Sequence, residues 1–152
     1  MRRTVSNLLN NLKNKNIFLL HDDLFHFDTF NSINCGITEP TMVDIACGLA
    51  SQGKTVFVYG ICGFVLYRAF DQIKFNVSKE YTGNIFFINA GHTGCYDKRL
   101  GRVYQIDDDL EICKILKLKT YTPKNAKLLE RYIKSKLSLT NQKIFIRLGN
   151  DE

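Results

Sequence analysis

The sequence predicts an α/β domain, a three-layer α/β/α sandwich built on a mainly parallel sheet. Three observations predict it. Short β-rich runs recur along a chain of 152 residues. Amphipathic helical patterns separate them, so the strands need crossover connections and a parallel sheet covered by helices on both faces. Apolar residues make up 45% and charged residues 24% of the chain, an ordinary globular balance at the size of one domain that buries a core without staples.

The predicted strands are Asn16 to Leu20, Ser32 to Cys35, Lys54 to Tyr59, Asn84 to Asn89, Leu116 to Tyr121 and Lys143 to Leu148. Each has the length of a buried strand, and most are bounded by Gly, Asn, Lys or Asp. Between the second and third, Met42, Ile45, Ala46 and Leu49 follow the i, i+3, i+4, i+7 spacing of an amphipathic helix. Pro40 marks its start and Gly53 its end. Further helices are expected over about Phe64 to Ser78, from the acidic cluster Asp107 to Asp109, and over about Asn125 to Lys136. No internal repeat, low-complexity tract or linker interrupts the order, so residues 1–152 read as a single domain. In open parallel sheets ligands bind beyond the carboxyl ends of the strands. That singles out Cys35 to Glu39, Tyr59 to Phe64 and Ala90 to Arg102.

Composition excludes several function classes. Five widely spaced cysteines without a C-x-x-C pair read as free thiols, which fits a reducing compartment and a cytoplasmic expectation. No run approaches the roughly 20 apolar residues that span a bilayer, and no signal-peptide apolar region follows the N-terminal Met-Arg-Arg, so neither membrane nor secretion is expected. The net charge of +6 is scattered, densest at Lys98 to Arg102 and Lys114 to Lys136. It reads as solubility or a docking face for an acidic partner, and no nucleic-acid partner is expected.

The run Asn34-Cys35-Gly36-Ile37-Thr38-Glu39, then Met42 and Ala46-Cys47-Gly48-Leu49-Ala50-Ser51-Gln52-Gly53, resembles the transketolase family, in which G-I-x-E opens a helix with the pattern A-x-G-L-A-x-x-G. A second match follows at Gly63-Phe64-Val65-Leu66-Tyr67-Arg68-Ala69-Phe70-Asp71-Gln72-Ile73, similar to F-x-x-x-R-A-F-[DE]-Q-I. The resemblance covers about Ile17 to the C-terminus and implies the pyrimidine-binding domain of the thiamine-diphosphate-binding fold.

By that resemblance Glu39 is the carboxylate that hydrogen-bonds the cofactor's pyrimidine nitrogen, a role that suits a group able to share a proton. Read from its position alone, it also complements a helix N-terminus. Phe64, Tyr67 and Phe70 fall at i, i+3 and i+6, so one helix would present three rings along one side for stacking on a flat heterocycle. A core face is the other reading, above all for Phe70. Arg68 is a cofactor-site candidate that pairs with a partner chain or near Glu39, or lies in solvent. Asp23 resembles the aspartate of the family's D-L step, and the segment from Phe25 to Ser32 is shorter than its counterpart. His92 lies in a loop similar to the one that carries a substrate-facing histidine.

The sequence departs from the family where D-G-x-T-H-Q is expected. It reads Leu100-Gly101-Arg102-Val103-Tyr104-Gln105, so Leu100 replaces the aspartate and Tyr104 the second histidine. A phenol with a pKa near 10 is a different acid from imidazole. Ordinary pentose-phosphate transketolase activity is therefore not expected, and Lys98, Arg99 and Arg102 read as candidates for a phosphate or nucleotide-linked group, with a solvated loop as the other reading for at least two of them. No G-D-G with a following Asn is present, and Gly149-Asn150-Asp151 comes too near the end to hold Mg²⁺. Neither a diphosphate-binding domain nor a transketolase C-terminal domain is expected. The expectation is a pyrimidine-domain subunit, active with thiamine diphosphate and Mg²⁺ only beside a partner chain that supplies the diphosphate domain and holds the metal. Such a hetero-oligomer, for example a heterotetramer, would transfer a ketol or acyl unit to an aldehyde acceptor, a sugar or sugar phosphate. The alternatives are a 2-oxo acid decarboxylase or acyloin synthase subunit and a non-catalytic regulatory subunit.

Overall fold

In a computed structural model the described residues are 2–12, 14–27, 29, 31–92 and 94–149. The Lys98 side chain, Thr93, Asn150 and Asp151 fall outside what is described. Six strands form one sheet: β1 (Ile17–His21), β2 (Ser32–Asn34), β3 (Thr55–Ile61), β4 (Asn84–Ala90), β5 (Lys119–Tyr121) and β6 (Lys143–Arg147). Their order is β2-β1-β3-β4-β6-β5 and every pair is parallel. All six predicted strands are present. The fifth is shorter at its start, because Leu116 closes a helix and Lys117 turns the chain with φ 57°.

Among the described residues five α-helices cover the sheet: α1 (Arg2–Leu12), α2 (Glu39–Ser51), α3 (Phe70–Gln72), α4 (Asp109–Ile115) and α5 (Ala126–Leu137). Period-two alternation divides each central strand between two cores. Val56 and Val58 of β3 with Ile85 and Phe87 of β4 face Met42, Ala46 and Ala50 of α2 and Ile112 and Cys113 of α4. Phe57, Phe86 and Ile88 face the other way, onto Val5, Leu8 and Leu9 of α1 and Leu129 and Ile133 of α5. The register Leu20↔Val58↔Phe87↔Phe145 carries one layer across the sheet. No helix among the described residues is long and apolar enough to cross a membrane.

Two elements differ from expectation. Helix α1 was not anticipated from a polar, Asn-rich start, yet Val5, Leu8, Leu9 and Leu12 keep a helical apolar spacing, and three of the four are buried. The segment expected as one helix over Phe64 to Ser78 is wound as two π-helical turns, Phe64–Arg68 and Ile73–Val77, on either side of α3. Wider winding carries the i+3 residue off the line of the first, so the three aromatic rings do not share a side.

Candidate functional site

The chain order β1, β2, then β3 on the other side of β1 makes the β1/β3 boundary the point where the strand order reverses, the usual ligand crevice of an open α/β sheet. A cavity of about 190 Å³ lies there. Asp22, Asp23 and Leu24 enter from the end of β1, Ile37 and Glu39 from the end of β2, Phe64 and Arg68 from the π-turn after β3, and Tyr104 from the loop before α4.

Glu39 is the first residue of α2 and is only 3% exposed. The approach is set locally: Cys35 N donates to the His21 carbonyl, Gly36 (φ 68°) donates to Asn34 Oδ1, and Thr38 Oγ1 donates to the Cys35 carbonyl. Pro40 in the first turn needs no backbone donor. Arg68 Nη1 donates to Glu39 Oε1 at 2.9 Å, and its guanidinium lies 4.1 Å from the Phe64 ring centroid. Arg68 therefore pairs with Glu39, one of the readings left open by the sequence. The buried Phe64 ring meets Tyr104 edge to face at 5.1 Å, and Tyr96 stands beyond it at 6.3 Å.

Tyr104 reaches this wall because its loop lies directly on glycine. A Cβ at Gly63 would stand 2.2 Å from the Val103 carbonyl oxygen, and one at Gly91 3.1 Å from that of Tyr104. Gly63→Ala is expected to cost about 2 kcal/mol as the loop is forced off, read from a urea midpoint. Unchanged stability would mean that the loop is not seated on Gly63.

Asp22, which the sequence reading passed over for Asp23, is the buried acid at this end of β1. It is 2% exposed, while Asp23 sits exposed on the rim. Strand alternation is the signal that finds it, since Asp22 continues the Leu20 face of β1 toward α2. Burial raises its pKa to about 6; the nearby amides of Leu24 and Ile61 oppose the rise, and the Glu39 and Asp23 charges add to it. The folded state thus holds this proton more tightly than the unfolded chain, and the associated stability is lost as pH rises from about 4 through 6. Asp22→Asn removes that penalty and is expected to gain about 2–3 kcal/mol at pH 7 and little at pH 4, measured by urea unfolding at both. Equal effects at the two pH values would contradict the assignment.

Three sequence candidates lie elsewhere. Tyr67 is 50% exposed and its hydroxyl donates to Asp108 Oδ2 at 2.5 Å, a bond that raises its pKa to about 12. It lines a second, polar cavity of about 340 Å³ with Arg102, Gln105, Asp107 and Asp108. Phe70 packs against the core on the α2 side of the sheet. His92 follows β4, where its Nδ1 meets the Cys95 thiol, and burial and the Arg147 charge lower its pKa. Leu100 is half exposed, and Arg99 is engaged with Asp97 at the surface.

A family model for the pyrimidine-binding domain of transketolase matches residues 11–147. The chain belongs to the transketolase pyrimidine-binding domain family. Among solved structures it is similar to a split-gene transketolase described as an inactive beta4 tetramer, with TM-score 0.79 and 24% identity over 99% of this chain and 51% of that one. It is also similar to the transketolase of Campylobacter jejuni, with TM-score 0.78 and 15% identity over 97% of this chain and 25% of that one. These likenesses show the fold, and this member spans about half the length of the first and a quarter of the second. No curated protein sequence matches it.

Proposed function

We propose that this transketolase-family chain is the pyrimidine-domain subunit of a two-component enzyme that uses thiamine diphosphate and Mg²⁺ to move a ketol or acyl unit to an aldehyde acceptor, a sugar or sugar phosphate. One observation carries the reading: a buried carboxylate, Glu39, stands beside an aromatic wall, Phe64, in the cavity at the sheet's reversal point. An aminopyrimidine fits that donor set, because a flat ring stacks on Phe64 while Glu39 accepts from or shares a proton with a ring nitrogen.

Thiamine diphosphate, when bound, supplies a carbon nucleophile that protein side chains lack. The chain's own residues bind, orient and manage a proton. Glu39 holds the proton at Oε1 or Oε2. In the free chain Arg68 occupies both the Glu39 oxygen and the face of Phe64, so a ring docks only as the guanidinium leaves. That exchange is inexpensive, because Arg68 is nearly half exposed and its ion pair is solvated. Tyr104 closes the far edge against Phe64 and is the residue assigned to the acceptor, since His92 is turned toward Cys95. Leu24 and Ile37 at the rim are 50% and 68% exposed, an apolar mouth that a partner chain would cover to exclude water. The diphosphate and Mg²⁺ are assigned to that partner, in a hetero-oligomer of the cytoplasm.

Co-purification with a diphosphate-domain subunit followed by a ketol-transfer assay tests the proposal. Turnover by the complex, and by neither chain alone, is expected. A complex that binds thiamine diphosphate without turning over ketose donors or 2-oxo acids would instead make this a regulatory subunit.

A further inference from the structure

The geometry points to Asp22 as a second acid of the cavity, one that carries a proton while the cavity is empty and releases it when a ligand places an N–H donor against the carboxylate. The inference deepens the cofactor reading and rests on it only for the identity of the donor, an amino group on a flat heterocycle.

Both Asp22 carboxyl oxygens are buried without a well-formed hydrogen bond, and the backbone amides of Leu24 and Ile61 nearby only partly offset the cost of burial. A buried carboxylate in that condition is costly, so it is either neutral or waiting for a donor. Three side-chain donors close to it are directed elsewhere. Arg68, on the π-turn, is spent on Glu39. Asn89 Nδ2, at the end of β4, donates to the Gly60 carbonyl at 2.9 Å. The His21 ring, on β1, uses Nδ1 on the Asp22 backbone carbonyl at 2.8 Å rather than on its side chain. The remaining ionisable groups that line the cavity with it are Asp23, Glu39 of α2 and Tyr104, two acids and a phenol. Among the described residues no cation stabilises the charged form.

The seat is also kept open sterically. A Cβ at Gly60 of β3 would lie 3.1 Å from Asp22 Oδ2 and 2.8 Å from Val65 Cγ2, so a side chain there would press on the carboxyl group and on the π-turn together. Asp22 and Glu39 are thus two buried acids on one small cavity, distinguished by their partners: Glu39 has the Arg68 guanidinium, and Asp22 has only the nearby Leu24 and Ile61 amides until a ligand arrives. The elevated pKa of Asp22 agrees with this arrangement. Ligands that offer an amino group are favoured over isosteres that offer only acceptors, which would leave the carboxylate unpaired.

The test uses the full chain and 4-amino-5-hydroxymethyl-2-methylpyrimidine, the isolated heterocycle, with binding followed by NMR at pH 7 and pH 5 and the Asp22 carboxyl carbon followed in the free chain. The carboxyl is expected to titrate near pH 6. Wild-type affinity is expected to fall about tenfold more between pH 7 and pH 5 than that of Asp22→Asn, since below the Asp22 pKa each ligand bound displaces one proton, which weakens binding about tenfold per pH unit. The same pH dependence in both proteins, or titration of the free carboxyl below pH 5, would overturn the inference. Glu39→Gln separates it from the cofactor reading: unchanged affinity in that variant with the Asp22-dependent pH effect intact removes Glu39's role and supports Asp22's.

Discussion

Glu39→Gln, in the chain reconstituted with a diphosphate-domain partner, is expected to lower turnover by about 10²–10³-fold while the fold survives. The amide matches the carboxylate in shape but cannot hold or return a proton at a ring nitrogen. Stability is a poor reporter of the same change. The ion pair lost is that with Arg68, which is nearly half exposed, and such pairs contribute about 0–1 kcal/mol. A steady-state assay beside a urea melt therefore separates the two roles open to Glu39. Large loss of turnover with a small shift in midpoint marks a group that acts on the cofactor. Turnover within a few-fold of wild type would leave Glu39 as a carboxylate that merely complements the N-terminus of α2.

The largest expected loss of stability lies on the other side of the sheet order, where β6 ends. Arg147 Nε and Nη2 donate to Asp109 Oδ2 and Oδ1 at 2.7 and 2.9 Å, and Asp109 is fully buried at the start of α4. The pair ties β6 to α4 beside His92 and the Cys113 thiol, whose pKa burial pushes up to about 12. Asp109→Ala leaves a guanidinium largely buried with neither its charge nor its two hydrogen bonds met, a loss of about 3–5 kcal/mol when one partner of a buried pair is removed. Because Arg147 keeps some access to water, the lower end is expected. Urea unfolding of Asp109→Ala and of the double variant Asp109→Ala/Arg147→Met checks this, the double variant recovering part of the loss. A single-variant cost under about 1 kcal/mol would show the bridge to behave as a surface pair.

The sheet was legible because its strands are apolar on both faces. Val56, Phe57, Val58 and Ile85 to Ile88 have no competing reading in a chain whose intervening segments carry helical spacing. Helix α2 was legible for the same reason, with Pro40 and Gly53 as its punctuation. The N-terminal helix was masked by three asparagines, although its apolar spacing survives them. The π-winding after β3 left no mark in the sequence, and it decided the fate of three candidates at once: Arg68 came over Phe64, Tyr67 turned toward Asp108, and Phe70 packed against the core. The choice between Asp22 and Asp23 turned on strand alternation, which outranks a two-residue motif because a one-residue step exchanges the faces of a sheet. His92 shows the limit of matching a loop by pattern. Its neighbours in space are Cys95 and the Asp109–Arg147 pair, all of them contributed by other segments or later turns of the chain.

Thiamine diphosphate binding by the reconstituted complex, followed by isothermal titration calorimetry with Mg²⁺ present, bears on the central claim more directly than any assay of turnover, because it needs no knowledge of the substrate. Saturable binding is expected when both chains are present, with affinity at least tenfold weaker for the partner alone and for the complex carrying Glu39→Gln. Equal affinity in all three cases would contradict the assignment of the pyrimidine site to this chain.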